Sequence, residues 1–251
     1  MVVADDPAPA AETRAAFEEL GRRFDQADPE ATIVLTPHGV HVEGSFAVVV
    51  TGGLSGLIDD PPAELECSSD QELAAAVVDE LRAQGIATVG VSYGGNDPDE
   101  AVMPMDWGTL VPLWFLGGRR VPPVPAVVVS PARDRPLAEH VRAGAAIACA
   151  ATKPVALVAS ADHGHAHDPD GPYGFDPGAG EYDSAMVDLV ERNQLERVTQ
   201  LAPLAEPAKA DSLWQVAMLA GALGDGFDVE LLSYEAPTYF GMLCAAFEPR
   251  A

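Results

Sequence analysis

Short runs of β-branched and apolar residues alternate with longer amphipathic stretches along most of this 251-residue chain. No other feature of the sequence restricts the fold as strongly. Residues 32–35, 46–51, 86–91, 126–130, 155–160 and 229–234 read as strands, several of them bounded by Gly or Pro. Between them, residues 12–26, 69–84, 137–151, 182–192 and 212–223 read as helices. The first carries Ala16, Phe17, Leu20 and Phe24 at helical spacing, and Ser68 or Ser69 offers a cap for the second. Residues 110–116 read as a short helix containing Pro112, and residues 240–247 as a further strand. Strands alternating with helices predict an α/β fold, a single domain with a central, mostly parallel sheet flanked by helices. No repeat or long linker interrupts it, so residues 11–251 are expected to form one domain. The Pro/Ala-rich residues 1–10 are expected to be a poorly ordered tail.

Composition removes several classes of function. The formal net charge of −25 sets up a field that repels nucleic-acid phosphates and anionic membrane surfaces, so neither is expected as a partner. No apolar run approaches the ~18–20 residues of a membrane span. The first residues lack a basic segment followed by an apolar one, so no secretory leader is expected. Cys67, Cys149 and Cys244 are widely spaced and odd in number. That argues against a disulfide framework and for a reducing, cytoplasmic setting. The composition allows a homo-oligomer.

The chemistry concentrates where strands run out. Residues 160–168 read Ser-Ala-Asp-His-Gly-His-Ala-His-Asp, directly after the apolar run 155–159. In open α/β sheets ligands bind at the carboxyl ends of strands. Histidine titrates near neutral pH and is the commonest metal ligand. Three histidines in five positions beside two aspartates are therefore candidates for catalysis, with Asp162, His163 and His165 foremost. If strand geometry persisted through this segment, His163, His165 and His167 would share one face, with His165 central.

Three further segments end strands or begin helices with polar groups. His38 follows the strand at 32–35 in Thr-Pro-His-Gly-Val-His, with His41 three residues on. Glu235 follows the strand at 229–234. Asp106 and Trp107 precede a glycine that would allow a tight turn, and could line a pocket. Each has a plainer reading as a solvated turn residue. There is no phosphate-binding loop, no dinucleotide fingerprint and no Gly-x-Ser-x-Gly nucleophile motif. Two histidines and a carboxylate on separate strands suggest instead a facial triad for non-haem Fe(II), with positions open to a bidentate substrate and O2.

Taken together, Thr36-Pro37-His38, Asp106 to Leu113 (Asp-Trp-Gly-Thr-Leu-Val-Pro-Leu), Ser160 to His165 and Tyr234-Glu235-Ala236-Pro237 resemble the class III extradiol ring-cleavage dioxygenases of the protocatechuate 4,5-dioxygenase β-subunit type. Memo-like proteins belong to the same superfamily. The resemblance implies an Fe(II) enzyme that inserts O2 into a catechol-like aromatic diol. His38 and Glu235 would be metal ligands and His165 the acid/base residue. The resemblance also has two departures. No histidine precedes His38, where the family places its first ligand. Either the start is truncated, His41 substitutes, or iron binding is impaired. Trp107 stands where many relatives carry a substrate-contacting histidine. A Memo-like binding protein without catalysis is the alternative that the resemblance leaves.

Overall fold

The computed structural model describes residues 2–4, 8–59 and 62–250. Residues 8–10 form a 3-10 turn that leads into helix α1 (Ala11–Ala27). The expectation of disorder for residues 1 and 5–7 lies outside the described residues.

The expected α/β architecture is present. A five-stranded central sheet contains β1 (Ala31–Leu35), β2 (Phe46–Val49), β5 (Thr88–Val91), β7 (Ala126–Ser130) and β8 (Val155–Ala159), in the order β5-β2-β7-β1-β8. β7, β1 and β8 run parallel, β2 and β5 run parallel, and the two groups meet antiparallel at β2 and β7. The carboxyl ends of β1, β7 and β8 therefore share one edge. Ile33, Leu35, Val127 and Val129 pack on one face of the sheet, and Val34 and Val128 on the other. That is why β1 and β7 read as continuous apolar runs rather than alternating ones.

The first face is covered by α2 (Gln71–Ala83), α4 (Leu137–Ala150) and α7 (Leu213–Leu223). The cap of α2 is Asp70, whose carboxylate accepts from Leu73 N at 3.1 Å, rather than Ser68 or Ser69. α4 and α7 cross at very close range. A Cβ built on Gly144 would lie 1.7 Å from the Met218 carbonyl oxygen, and one on Gly221 would lie 1.8 Å from that of Val141.

The second face carries a small sheet that the strand assignment from sequence omits. It contains β3 (Gly53–Asp59), β4 (Pro62–Ser68) and β6 (Val102–Pro104). Helix α3 (Trp107–Phe115) follows β6 directly and packs Leu110 and Leu113 into the same core. α5 (Pro177–Glu191) starts five residues earlier than the periodicity suggests, because Asp176 caps it by accepting from Gly178 N at 2.8 Å. A 3-10 segment (Leu195–Leu201) leads to α6 (Ala202–Ala208). β9 (Phe227–Glu235) and β10 (Met242–Pro249) form an antiparallel ribbon of their own, tied to α1 by Arg23, which contacts Glu230 at 2.7 Å and Glu248 at 3.2 Å.

Candidate active site

The shared edge brings together three loop starts. β1 delivers Thr36-Pro37-His38, β7 delivers Ser130-Pro131-Ala132-Arg133, and β8 delivers Ser160-Ala161-Asp162. His38 Nε2 lies 2.6 Å from Asp162 Oδ2 across 124 positions of sequence. The hydrogen bond to Asp162 raises the His38 pKa above the ordinary histidine value, against the opposing effect of burial. For Asp162, burial is the largest influence and works against ionisation. The hydrogen bond from His38 and the nearby histidines together outweigh it, so its pKa falls below the usual carboxylate range.

Arg133 holds the floor of this edge. It pairs with Asp211 at 2.6 Å, donates to the Pro37 carbonyl and lies 5.4 Å over the Trp214 ring. Asp211 N donates to the Asp162 carbonyl at 2.8 Å, so the carboxylate pair is also joined through the backbone. Burial raises the Asp211 pKa, even with Arg133 alongside it. Neither Arg133 nor Asp211 belongs to a motif visible in the sequence. The available signal for Arg133 was its place after β7, which repeats that of His38 after β1.

Asp106 is built into the same edge from the other side. Its carboxylate caps α3 and accepts from Thr36 Oγ1 (2.7 Å), Thr109 N (3.0 Å) and Thr109 Oγ1 (2.9 Å). The following glycine serves close packing rather than a tight turn. A Cβ on Gly108 would lie 2.9 Å from both Asp106 Oδ1 and Thr36 Oγ1. A cavity of about 220 Å³ opens between the central sheet, the small sheet and α3. His38, Asp106, Thr109 and Tyr93 supply its polar lining, and Val49, Leu54, Met103, Met105 and Val128 its apolar walls. Trp107 stands outside that lining. It is 63% exposed, with its ring 5.9 Å from that of His38.

The histidine segment does not keep strand alternation. β8 ends at Ala159, and only isolated bridges at Asp162 and His167 follow. The three rings consequently enter three environments. His163 is 4% exposed with Nδ1 unpartnered, and burial lowers its pKa. His165 Nδ1 lies 2.9 Å from the His163 carbonyl, and its ring packs among Tyr173, Tyr239 and Phe240 at 5.6–5.8 Å. His167 Nε2 lies 2.8 Å from Asp183 Oδ2. Asp183, buried on α5 and also missed from sequence, accepts from Gly164 N and Tyr234 Oη, each at 2.7 Å. It anchors the segment at both ends of the His165 turn.

The expected ligand set His38, His41 and Glu235 is not brought together. Glu235 Oε1 accepts from Thr13 N at 2.7 Å, at the first turn of α1. His41 is exposed in the loop between β1 and β2. Among the described residues, no three His, Cys, Asp or Glu side chains are placed to hold one metal ion. Of that set, His38 alone has a carboxylate on one ring nitrogen, which is how ligating histidines are usually oriented.

Fold and site thus define an α/β protein with a titratable pair beside a small cavity at the carboxyl ends of parallel strands. Residues 1–244 match the family described as the catalytic LigB subunit of aromatic ring-opening dioxygenase, and the chain belongs to that family. It is 25% identical over 231 residues to Protein CA_C1420 of Clostridium acetobutylicum, across 89% of this chain and 49% of that protein. The chain therefore spans about half the length of this curated relative. Its fold is similar to the crystal structure of the uncharacterized protein JW3007 from Escherichia coli K12, with a TM-score of 0.65 and 17% identity over 94% of this chain and 91% of that one. No described helix is long and apolar enough to cross a membrane.

Proposed function

We propose that this member of the ring-opening dioxygenase family binds a small hydroxylated aromatic molecule in the His38 cavity without opening its ring. The observation that carries this reading is the engagement of Glu235. Glu235 Oε1 accepts from Thr13 N at the first turn of α1, His38 is held by Asp162 beside an apolar cavity, and among the described residues no three His, Cys, Asp or Glu side chains converge on one metal position. A cavity of about 220 Å³ is below the ~300–1,000 Å³ typical of drug-sized ligands, so it fits a single ring. The His38–Asp162 pair can accept or donate a proton at a ring hydroxyl, and Met103 and Met105 give the ring face soft, polarisable contacts.

Family membership favours a second reading, Fe(II)-dependent extradiol cleavage of a catechol with O2. His38 would keep its bond to Asp162 while ligating. Glu235 would have to move from the start of α1 toward His38, and His41 would have to turn in from its exposed loop. Fe(II) would supply a site that binds both diol oxygens and O2. His165 would handle the proton of the substrate hydroxyl.

Anaerobic incubation with Fe(II), metal analysis after desalting and aeration with a catechol panel separate the two. The binding reading predicts catechol binding, less than stoichiometric iron and no yellow ring-opened product. Stoichiometric iron with product formation overturns it in favour of the enzyme.

A further inference from the structure

We propose that the His38 cavity selects an uncharged aromatic diol and rejects one carrying a carboxylate. This rests on the binding reading above and deepens it to a ligand class. The basis is the pairing of every cation at the site. Among the described residues, the cavity lining contains no lysine or arginine. Its one basic group, His38, has Nε2 held by Asp162 at 2.6 Å. The neighbouring guanidinium, Arg133, is committed to Asp211, to the Pro37 carbonyl and to the face of Trp214. The remaining charge at this edge is acidic, from Asp106 in the lining and Asp162 and Asp211 behind His38.

A ligand carboxylate entering this space would lose water and gain no counter-ion. Opposite it would stand Val49, Leu54, Met103, Met105 and Val128. Burying an unpaired charge costs more than burying a methyl group of similar shape gains. The net charge of −25 adds a long-range penalty for an anion's approach. Asp106 itself makes no demand on the ligand, because its oxygens already accept from Thr36 and Thr109. An uncharged ring therefore meets the satisfied Asp106 and Thr109, the exposed Tyr93, the His38 edge and apolar walls.

The test is calorimetric titration of the full chain with 4-methylcatechol and with 3,4-dihydroxybenzoate. These probes share the ring and the diol and differ in a methyl against a carboxylate. The expected result is binding of 4-methylcatechol at least about tenfold tighter, the equivalent of ~1.4 kcal/mol. Equal or tighter binding of the benzoate overturns the selectivity while leaving the aromatic-binding reading intact. Failure of both probes to bind overturns the aromatic-binding reading and this inference with it.

Discussion

Replacing Asp183 should damage the protein more than any other single polar change near the site. Its carboxylate is 1% exposed and accepts three hydrogen bonds, from Gly164 N, His167 Nε2 and Tyr234 Oη. In Asp183→Ala all three donors lose their acceptor. Leaving a buried donor unsatisfied costs about 1–3 kcal/mol. The Gly164 amide is buried and should bear the upper part of that range. His167 and Tyr234 are only partly buried and can recover water, so each should cost about 1 kcal/mol. The sum is roughly 4–5 kcal/mol, or a fall of roughly 8–20 °C in Tm for a protein of this size. Asp183→Asn keeps one oxygen for Gly164, and its amide can pair with the other His167 tautomer. It should lose only about 1–2 kcal/mol. Urea denaturation of the three proteins, compared at constant m-value, measures both numbers. An Ala variant within about 1 kcal/mol of wild type, or an Asn variant as damaged as the Ala variant, would refute the anchoring argument.

Three other perturbations have defined outcomes. Gly144→Ala drives a methyl into the Met218 carbonyl, a backbone atom that cannot swing aside, so stability should fall by about 3 kcal/mol or more, and a change under 1 kcal/mol in thermal unfolding would contradict the close crossing of α4 and α7. His140 is fully buried, and burial lowers its pKa below the ordinary value of 6.5. The unfolded chain therefore takes up its proton first as pH falls, so stability is level above that value and declines below it by up to about 1.4 kcal/mol per pH unit. His140→Leu should flatten that decline, and denaturation curves with identical acid slopes for variant and wild type would count against it. Glu235→Gln should leave Fe(II) uptake unchanged in metal analysis, because that carboxylate serves α1; reduced uptake would restore Glu235 as a ligand.

The parts of this account that are legible in the sequence are those set by local pattern. The continuous apolar runs at β1 and β7 mark strands buried on both faces, and the rule that ligands gather at strand ends leads to His38 and Asp162. The small sheet was also legible in principle. β4 alternates buried Ala63, Leu65 and Cys67 with exposed Pro62, Glu64 and Glu66, the period-two signature of a half-buried strand. What the sequence hides is pairing over distance. Thr13 and Glu235 are 222 positions apart, so a helix-capping glutamate and a metal-ligating one look identical in the chain. Asp183 is equally silent. It looks like any polar helix residue until the fold sets Gly164, His167 and Tyr234 around it. The alternation expected for His163, His165 and His167 fails because the pairing of β8 with β1 ends at Leu35 and Ala159, with a last hydrogen bond from Ser160 N to the Leu35 carbonyl.

Binding of an aromatic diol can be located directly. Methyl-labelled protein titrated with 4-methylcatechol reports on Leu54, Met103, Met105 and Val128, which wall the His38 cavity. Saturable shifts are expected at these methyls, with at least tenfold weaker binding in His38→Ala, a loss of about 1.4 kcal/mol. Saturable binding that leaves these methyls unmoved, or that is undiminished in His38→Ala, would contradict binding in the His38 cavity.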